Sequence, residues 1–259
     1  MLQVKNWNSL IYKKLTFTIK NSEKPHLFIG SKMRGMLGYA LKDEVCINPT
    51  LKCEGCFAAN ECSFYEMYEK QNTTHKYRLD FKLYDKKYAF SMLLFDTLQV
   101  EEKSIRKAML KALDENKEVE FKSKEKKFKK PKQGVSLLKL TFETPLRIKK
   151  QNTFARDDIE LLDILRSIYR RNRDLQGKEH KYLKIDENYK VVSKNLRYQE
   201  LRRRSNKQKT TMNMGGIMGE MIITNVDKKV YNLLKLGEVI GVGKATVFGL
   251  GKIKLEELG

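Results

Sequence analysis

Residues Gly237–Glu256 read GEVIGVGKATVFGLGKIKLE. Gly241, Gly243, Gly249 and Gly251 stand at G-x-G-x5-G-x-G spacing, interleaved with Lys244 and Lys252, and an alternating strand pattern runs from Gly251 to Leu255. Glycines clustered like this imply backbone at positive φ or backbone packed close to something else. Such a loop can also offer main-chain N–H groups to phosphate, with the lysines adding charge. Two familiar phosphate motifs are excluded. Walker A needs G-x4-G-K-[ST], but Ala245 follows Lys244 and Glu238 stands five before Gly243. A dinucleotide fingerprint follows a strand and opens a βαβ unit, whereas this loop follows a helical pattern near the end of the sequence.

Working outward, the composition points to a polyanion as partner. The 259 residues carry a formal net charge of +21, and 41% apolar content is enough for a real core. An excess of that size suits RNA, DNA or an anionic membrane surface. No apolar run reaches the ~20 residues of a spanning helix, and MLQVKNWNSLIYKK lacks the cationic-then-apolar order of a signal peptide. The expectation is a cytoplasmic chain, where clustered cysteines imply metal before disulfide.

Leu15–Ile19 alternates as a strand, and Met33, Met36, Leu37, Ala40, Leu41 and Val45 recur at helical spacing from Ser31. Gly35 and Gly38 lie inside that helix and cost about 1 kcal/mol each, a cost offset if they pack closely against a strand. Cys46-x6-Cys53-x2-Cys56-x5-Cys62 follows; four thiolates within 17 residues can close a tetrahedral zinc site with no open position. An iron–sulfur cluster, an empty thiol cluster or a Cys53–Cys56 redox pair are the alternatives. Strands at Lys76–Asp85 and Tyr88–Phe95, a helix at Glu101–Asp114 and a strand at Val119–Phe121 complete a β-α-β-β-α-β order, that of a ferredoxin-like domain.

Lys122–Lys132 holds seven lysines and one glutamate and reads as a solvated linker or an RNA-facing strand end. The domain boundary falls there, giving domains 1–130 and 131–259. The second half repeats the order. Val135–Phe142 is a strand, and a helix runs from Asp157 or Asp158 to Arg173, its last turn carrying cations toward the helix dipole. A strand follows at Val191–Arg197. Met212–Met214 and Met221–Thr224 flank Gly215-Gly216 as a hairpin-like pair, Asp227 caps a helix reaching Gly237, and the terminal strand closes the unit. The fold class is α+β, two tandem ferredoxin-like domains with a cysteine-rich insertion in the first. Arg202-Arg203-Arg204-Ser205-Asn206-Lys207-Gln208-Lys209 has five cations and no acid, an electrostatic footprint for an RNA backbone if it stands beside the glycine loop.

GVGKATVFGLGKIKL resembles the glycine-rich signature of the RAMP superfamily of CRISPR-associated proteins. LKLTFETPLRIKK (Leu138–Lys150), RRRSNKQKTTMNMGGIMG (Arg202–Gly219) and the N-terminal GSKMRGMLGYALK followed by four cysteines are similar to that superfamily's endoribonucleases, in the same order. The resemblance implies RRM-like domains and cleavage of CRISPR precursor transcripts within each repeat, without metal, by 2′-hydroxyl attack that leaves a 2′,3′-cyclic phosphate. It implies RNA and other CRISPR effector subunits as partners, in a monomer or dimer serving antiviral defence. The family's acid or base is usually a histidine near the first helix. His26 is the histidine of that neighbourhood, with Lys32, Tyr39 and Lys42 in the helix itself. In better-known members the histidine lies within or just after the helix, where this chain has Cys46. Lys32, Lys42 and Tyr39 therefore stay open as catalytic groups. So does a non-catalytic subunit that binds guide RNA in an effector complex. For RNA contact the candidates are Arg202, Arg203, Arg204, Lys207, Lys209, Gly241, Gly243, Lys244, Gly249, Gly251 and Lys252.

Overall fold

The computed structural model describes residues 10–20, 25–48, 52–113, 118–205 and 210–258. The chain divides into two units. Ile11–Lys126 form the N-terminal unit, and Lys127–Gly259 form the C-terminal unit, which Leu10 joins by accepting from the Phe128 N–H at 2.7 Å.

In the N-terminal unit β1 (Ile11–Ile19) leads to α1 (Gly30–Val45), β2 (Tyr77–Asp80), β3 (Tyr88–Phe95), α2 (Glu102–Ala112) and β4 (Val119–Lys127). The sheet order is β2-β3-β1-β4, with β1 antiparallel to β3 and β3 antiparallel to β2. Alternation along β1 buries Leu15, Phe17 and Ile19, and the register sets Phe17 opposite Phe90 with their rings stacked at 5.2 Å. α1 buries Met33, Leu37 and Leu41, α2 buries Ile105, Ala108 and Met109, and the two helices pack on each other.

Two expectations change in this unit. Only the first part of the lysine-rich run is strand: β4 carries Lys122, Lys124, Lys126 and Lys127 along the sheet edge with their side chains exposed, a placement that discourages edge-to-edge pairing, and Lys129, Lys130 and Lys132 lie beyond it. Nor does a strand explain the helix glycines. A Cβ on Gly38 would lie 2.8 Å from the Tyr68 ring, in a short π-helical turn (Tyr65–Glu69), whereas one on Gly35 would meet nothing within 4 Å. The turn is held to α1 by the Tyr68 hydroxyl, which donates to the Arg34 carbonyl at 2.8 Å, and by the Arg34 guanidinium over the same ring.

The C-terminal unit repeats the order. β5 (Val135–Leu146) is followed by a small hairpin, β6 (Lys149–Lys150) with β7 (Thr153–Phe154), then α3 (Leu161–Leu175), β8 (Lys190–Gln199), a second hairpin of β9 (Arg202–Ser205) with β10 (Thr210–Asn213), β11 (Gly216–Val226), α4 (Lys228–Ile240) and β12 (Ile253–Glu257). The sheet order β12-β5-β11-β8 puts its four strands in the same spatial sequence as those of the first sheet. Leu138, Leu140 and Phe142 of β5, Met221 and Ile223 of β11, and Ile164, Leu165 and Ile168 of α3 fill the core. As expected, the Asp227 carboxylate caps α4, accepting from the Val230 N–H at 2.8 Å.

Here too the structure corrects the sequence reading. Gly215-Gly216 is not a hairpin turn: β10 pairs with β9, while β11 turns away to pair with β5 and β8. A Cβ on Gly216 would lie 2.6 Å from the Leu146 carbonyl, so the glycine serves close backbone approach at that divergence. α3 begins at Leu161 behind a Glu160–Asp163 capping box, later than Asp157 or Asp158. One of its last-turn cations serves another helix: Arg171 is buried and donates from Nε to the Ile240 carbonyl at 2.7 Å, at the negative end of α4.

Candidate nucleic-acid interface

The glycine loop, 241–252, is pinned by its own amides. Val242 N–H donates to the Gly251 carbonyl at 2.9 Å, Gly251 N–H to the Pro145 carbonyl at 3.0 Å, and Lys244 N–H to the Arg147 carbonyl at 2.8 Å. Gly243 N–H donates to Ser167 Oγ at 2.9 Å. Buried Thr144 accepts from Lys252 N–H at 2.8 Å and donates to the Gly249 carbonyl at 3.0 Å. Gly243 (φ 76°) and Gly251 (φ 71°) lie in the left-handed region, and a Cβ on Gly251 would sit 1.8 Å from the Val242 carbonyl oxygen. Glycine is required there because two limbs of backbone touch. Gly241 caps the C-terminus of α4 and Gly249 follows the 3-10 turn Thr246–Phe248. The amides of Ala245, Thr246 and Val247 have no hydrogen-bond partner among the described residues. Lys244 is exposed, whereas Lys252 is largely covered and paired with Glu143 at 3.2 Å.

The β9–β10 hairpin comes to this loop. The Arg203 guanidinium stands 4.5 Å from the Phe248 ring centroid, and its Nη2 approaches Met212 Sδ at 3.4 Å. Arg202 points outward, with Glu200 4.0 Å away. Arg204 belongs to β9, and Lys207 and Lys209 fall outside the described residues, as do Asn206 and Gln208. Around the pair stands a second set of cations on aromatic rings. Arg147 lies 4.2 Å over Phe154, Lys149 5.4 Å over the same ring, and Arg156 5.5 Å over Tyr198. Arg147 joins the set to the loop, because its carbonyl accepts from Lys244 while its Nη1 donates to the Gly215 carbonyl at 2.6 Å. Burial pulls the Arg147 guanidinium below its ordinary value, opposed by the neighbouring Tyr198. Carbonyl and ring face together compensate that burial. Arginines over half-exposed rings, beside a basic hairpin, form the kind of surface on which unpaired bases stack while cations track phosphates.

In the N-terminal unit His26 is exposed in the loop before α1. Lys32 and Tyr39 are exposed on α1, two turns apart and so on one helix face, with open Gly35 between them. None of His26, Lys32 and Tyr39 has a side-chain hydrogen bond or ion pair among the described residues. Lys42 is half-buried, its ammonium 6.0 Å over the Phe64 ring. The other histidines are occupied: His75 Nδ1 lies 3.3 Å from the Glu66 carbonyl, and His180 pairs with Asp174.

Cys46, Cys53, Cys56 and Cys62 are free, half-buried and line one pocket of about 140 Å³. Among the described residues no group of three potential ligands is already arranged as a metal site. Burial pushes the Cys53 thiol up, and the Glu69 charge adds to it.

With this geometry in place, residues 140–253 match the family model described as CRISPR-associated endoribonuclease Cas6. That stretch lies within the C-terminal unit and is similar to the Cas6 family. Residues 10–94 match a second model, described only as an N-terminal domain. No curated protein sequence matches the chain. Among solved structures, a Cas6 product complex aligns at TM-score 0.60 and 14% identity, over 95% of this chain and 99% of that one. Cas6 of Thermus thermophilus aligns at 0.58 and 12%, over 96% and 99%. A partial Cas6-RT-Cas1–Cas2 complex contains a chain similar at 0.57 and 13%, over 95% of this chain and 46% of that one. At such identities the likeness is one of fold, and it extends across both units, confirming two tandem ferredoxin-like domains. No helix among the described residues is long and apolar enough to cross a membrane.

Arg147, Lys149, Phe154, Arg156, Tyr198 and Phe248 of the C-terminal unit carry no mark in the sequence as site residues. Single cations and single rings carry no spacing signal, and what marks them is pairing across the fold. One clue was available: Arg147 and Lys149 fall in LRIKK, inside a stretch already similar to the family.

Proposed function

We propose that the chain is an endoribonuclease that cuts CRISPR precursor transcripts within the repeat to yield guide RNA. The match of residues 140–253 to the Cas6 family carries this reading, and it falls on the unit where Arg147, Arg156 and Arg203 stand over aromatic rings. Phosphates would run along Arg202, Arg203, Arg204, Lys207, Lys209 and Lys244, with bases stacking on Phe154, Tyr198 or Phe248.

The reaction we assign is in-line attack of the 2′-hydroxyl oxygen on the adjacent phosphorus. The P–O5′ bond breaks, a base takes the 2′-hydroxyl proton and an acid protonates O5′. The products are a 2′,3′-cyclic phosphate and a 5′-hydroxyl, and no metal takes part. His26 is the first choice for a proton-transfer role, because it is exposed and unpartnered while His75 and His180 are held elsewhere. Tyr39 and Lys32 stand on one face of the adjacent helix to serve the other proton or the phosphorane charge, with Lys42 a turn beyond. The site would act in the cytoplasm, where transcripts are made.

Incubating the protein with its cognate repeat RNA in excess chelator should give a single cut with a cyclic phosphate end. No cut under any condition would overturn the assignment. A second reading, a guide-RNA-binding subunit without catalysis, is favoured by one observation: no described side chain orients His26. Tight repeat binding without cleavage, and co-purification with other CRISPR proteins, would select it.

A further inference from the structure

The segment Cys46–Cys62 joins α1 to the π-helical turn, yet none of its described residues is buried. Ile47 and Phe57 face water, at 66% and 90% exposure. Among the described residues the partly covered positions are Cys46, Cys53, Cys56, Ala58, Ala59 and Cys62. Ordering backbone costs roughly 1–2 kcal/mol per residue, and the described residues of this connection, which bury no apolar side chain, have little to set against that. Even so, the described part from Cys53 onward takes a definite path. Gly55 turns in the left-handed region at φ 75°, Cys56 N–H donates to the Cys53 carbonyl at 3.2 Å, and Ala59–Glu61 form a 3-10 turn. Where burial is insufficient, cross-links or metals supply the missing stabilisation. All four cysteines are free of disulfides and line the same pocket, walled also by Val45, Tyr65 and the two alanines.

We propose that these four cysteines bind a zinc ion as a closed tetrathiolate that fixes the end of α1 to the turn after it. The ligands come from the α1 C-cap, both ends of the Cys53–Cys56 turn and the end of the 3-10 turn, so the ion ties together each part of the segment. With four sulfurs there is no open position, and the site is structural. Zinc, rather than an iron–sulfur cluster, suits a chain whose proposed reaction moves no electrons. No three of these sulfurs stand at ligand spacing in the structure, so binding requires them to close in on the pocket they line.

The test uses the full chain, expressed without a metal-binding tag and purified under thiol reductant. Elemental analysis should find a single zinc per chain. The four thiols should be protected from a thiol reagent until the zinc is displaced, and cobalt exchange should give the intense ligand-field bands of a tetrahedral thiolate site. Cys53→Ser and Cys56→Ser should each lose the bound ion. If these variants do not fold, the wild-type stoichiometry and cobalt spectrum decide. Four thiols reacting at once with zinc at background, iron in place of zinc, or undiminished zinc in folded Cys53→Ser and Cys56→Ser variants would overturn the site. None of these readouts depends on RNA cleavage.

Discussion

The two units have one topology and use it differently. In the C-terminal unit the strand ends are rigidified from within: buried Arg147 and Arg171 donate to the carbonyls of Gly215 and Ile240, and Thr144 bridges both limbs of the glycine loop. In the N-terminal unit Arg34 ties α1 to the π-helical turn, but Lys32 and Tyr39 on the helix, and His26 in the loop before it, have no side-chain hydrogen bond or ion pair among the described residues. The proposed roles match that difference, since a surface that holds a strand in register benefits from fixed geometry, whereas groups that exchange protons must stay accessible to substrate. The glycines show the same contrast: Gly251 is forced by backbone contact, and Gly35 faces open space.

His26→Ala should slow repeat cleavage by at least ~100-fold with binding intact, measured by single-turnover kinetics and filter binding. An unchanged rate would remove His26 from the chemistry and shift attention to Tyr39, Lys32 and Lys42. Gly251→Ala combines positive φ with a backbone clash and should cost about 3 kcal/mol, seen as a drop of roughly 10 °C in Tm. Arg203→Ala removes one cation and its stacking partner, so RNA affinity should fall about 10-fold and the salt dependence should lose close to one phosphate contact. Undiminished affinity would mean that the hairpin does not meet RNA. Gly35→Ala should raise helix stability by about 0.5–1 kcal/mol. If the face between Lys32 and Tyr39 meets RNA, the same substitution should slow cleavage slightly while stabilising the fold; an unchanged rate would leave that face to solvent.

Much of the fold was legible along the chain. Alternation marked β1 and β12, helical spacing marked α1, and Asp227 marked the start of α4. The element order then identified two ferredoxin-like units. Less legible was Lys122–Lys132, where charge density masked a strand, because a sheet edge solvates lysines as readily as a linker does. Gly215-Gly216 misled for a related reason: a glycine pair signals either a turn or close approach of another strand, and neighbouring residues do not separate the two.

Elements, the basic excess, the glycine spacing and the four cysteines are local properties, so the amino-acid sequence determined them by itself. Which arginine serves structure and which faces outward was decided only by the tertiary fold. Arg147 and Gly215 are 68 residues apart, Arg171 and Ile240 are 69, and Thr144 and Gly249 are 105. A hydrogen bond between such partners exists only once the sheet has brought them together, and its worth comes from the burial that the same folding imposes.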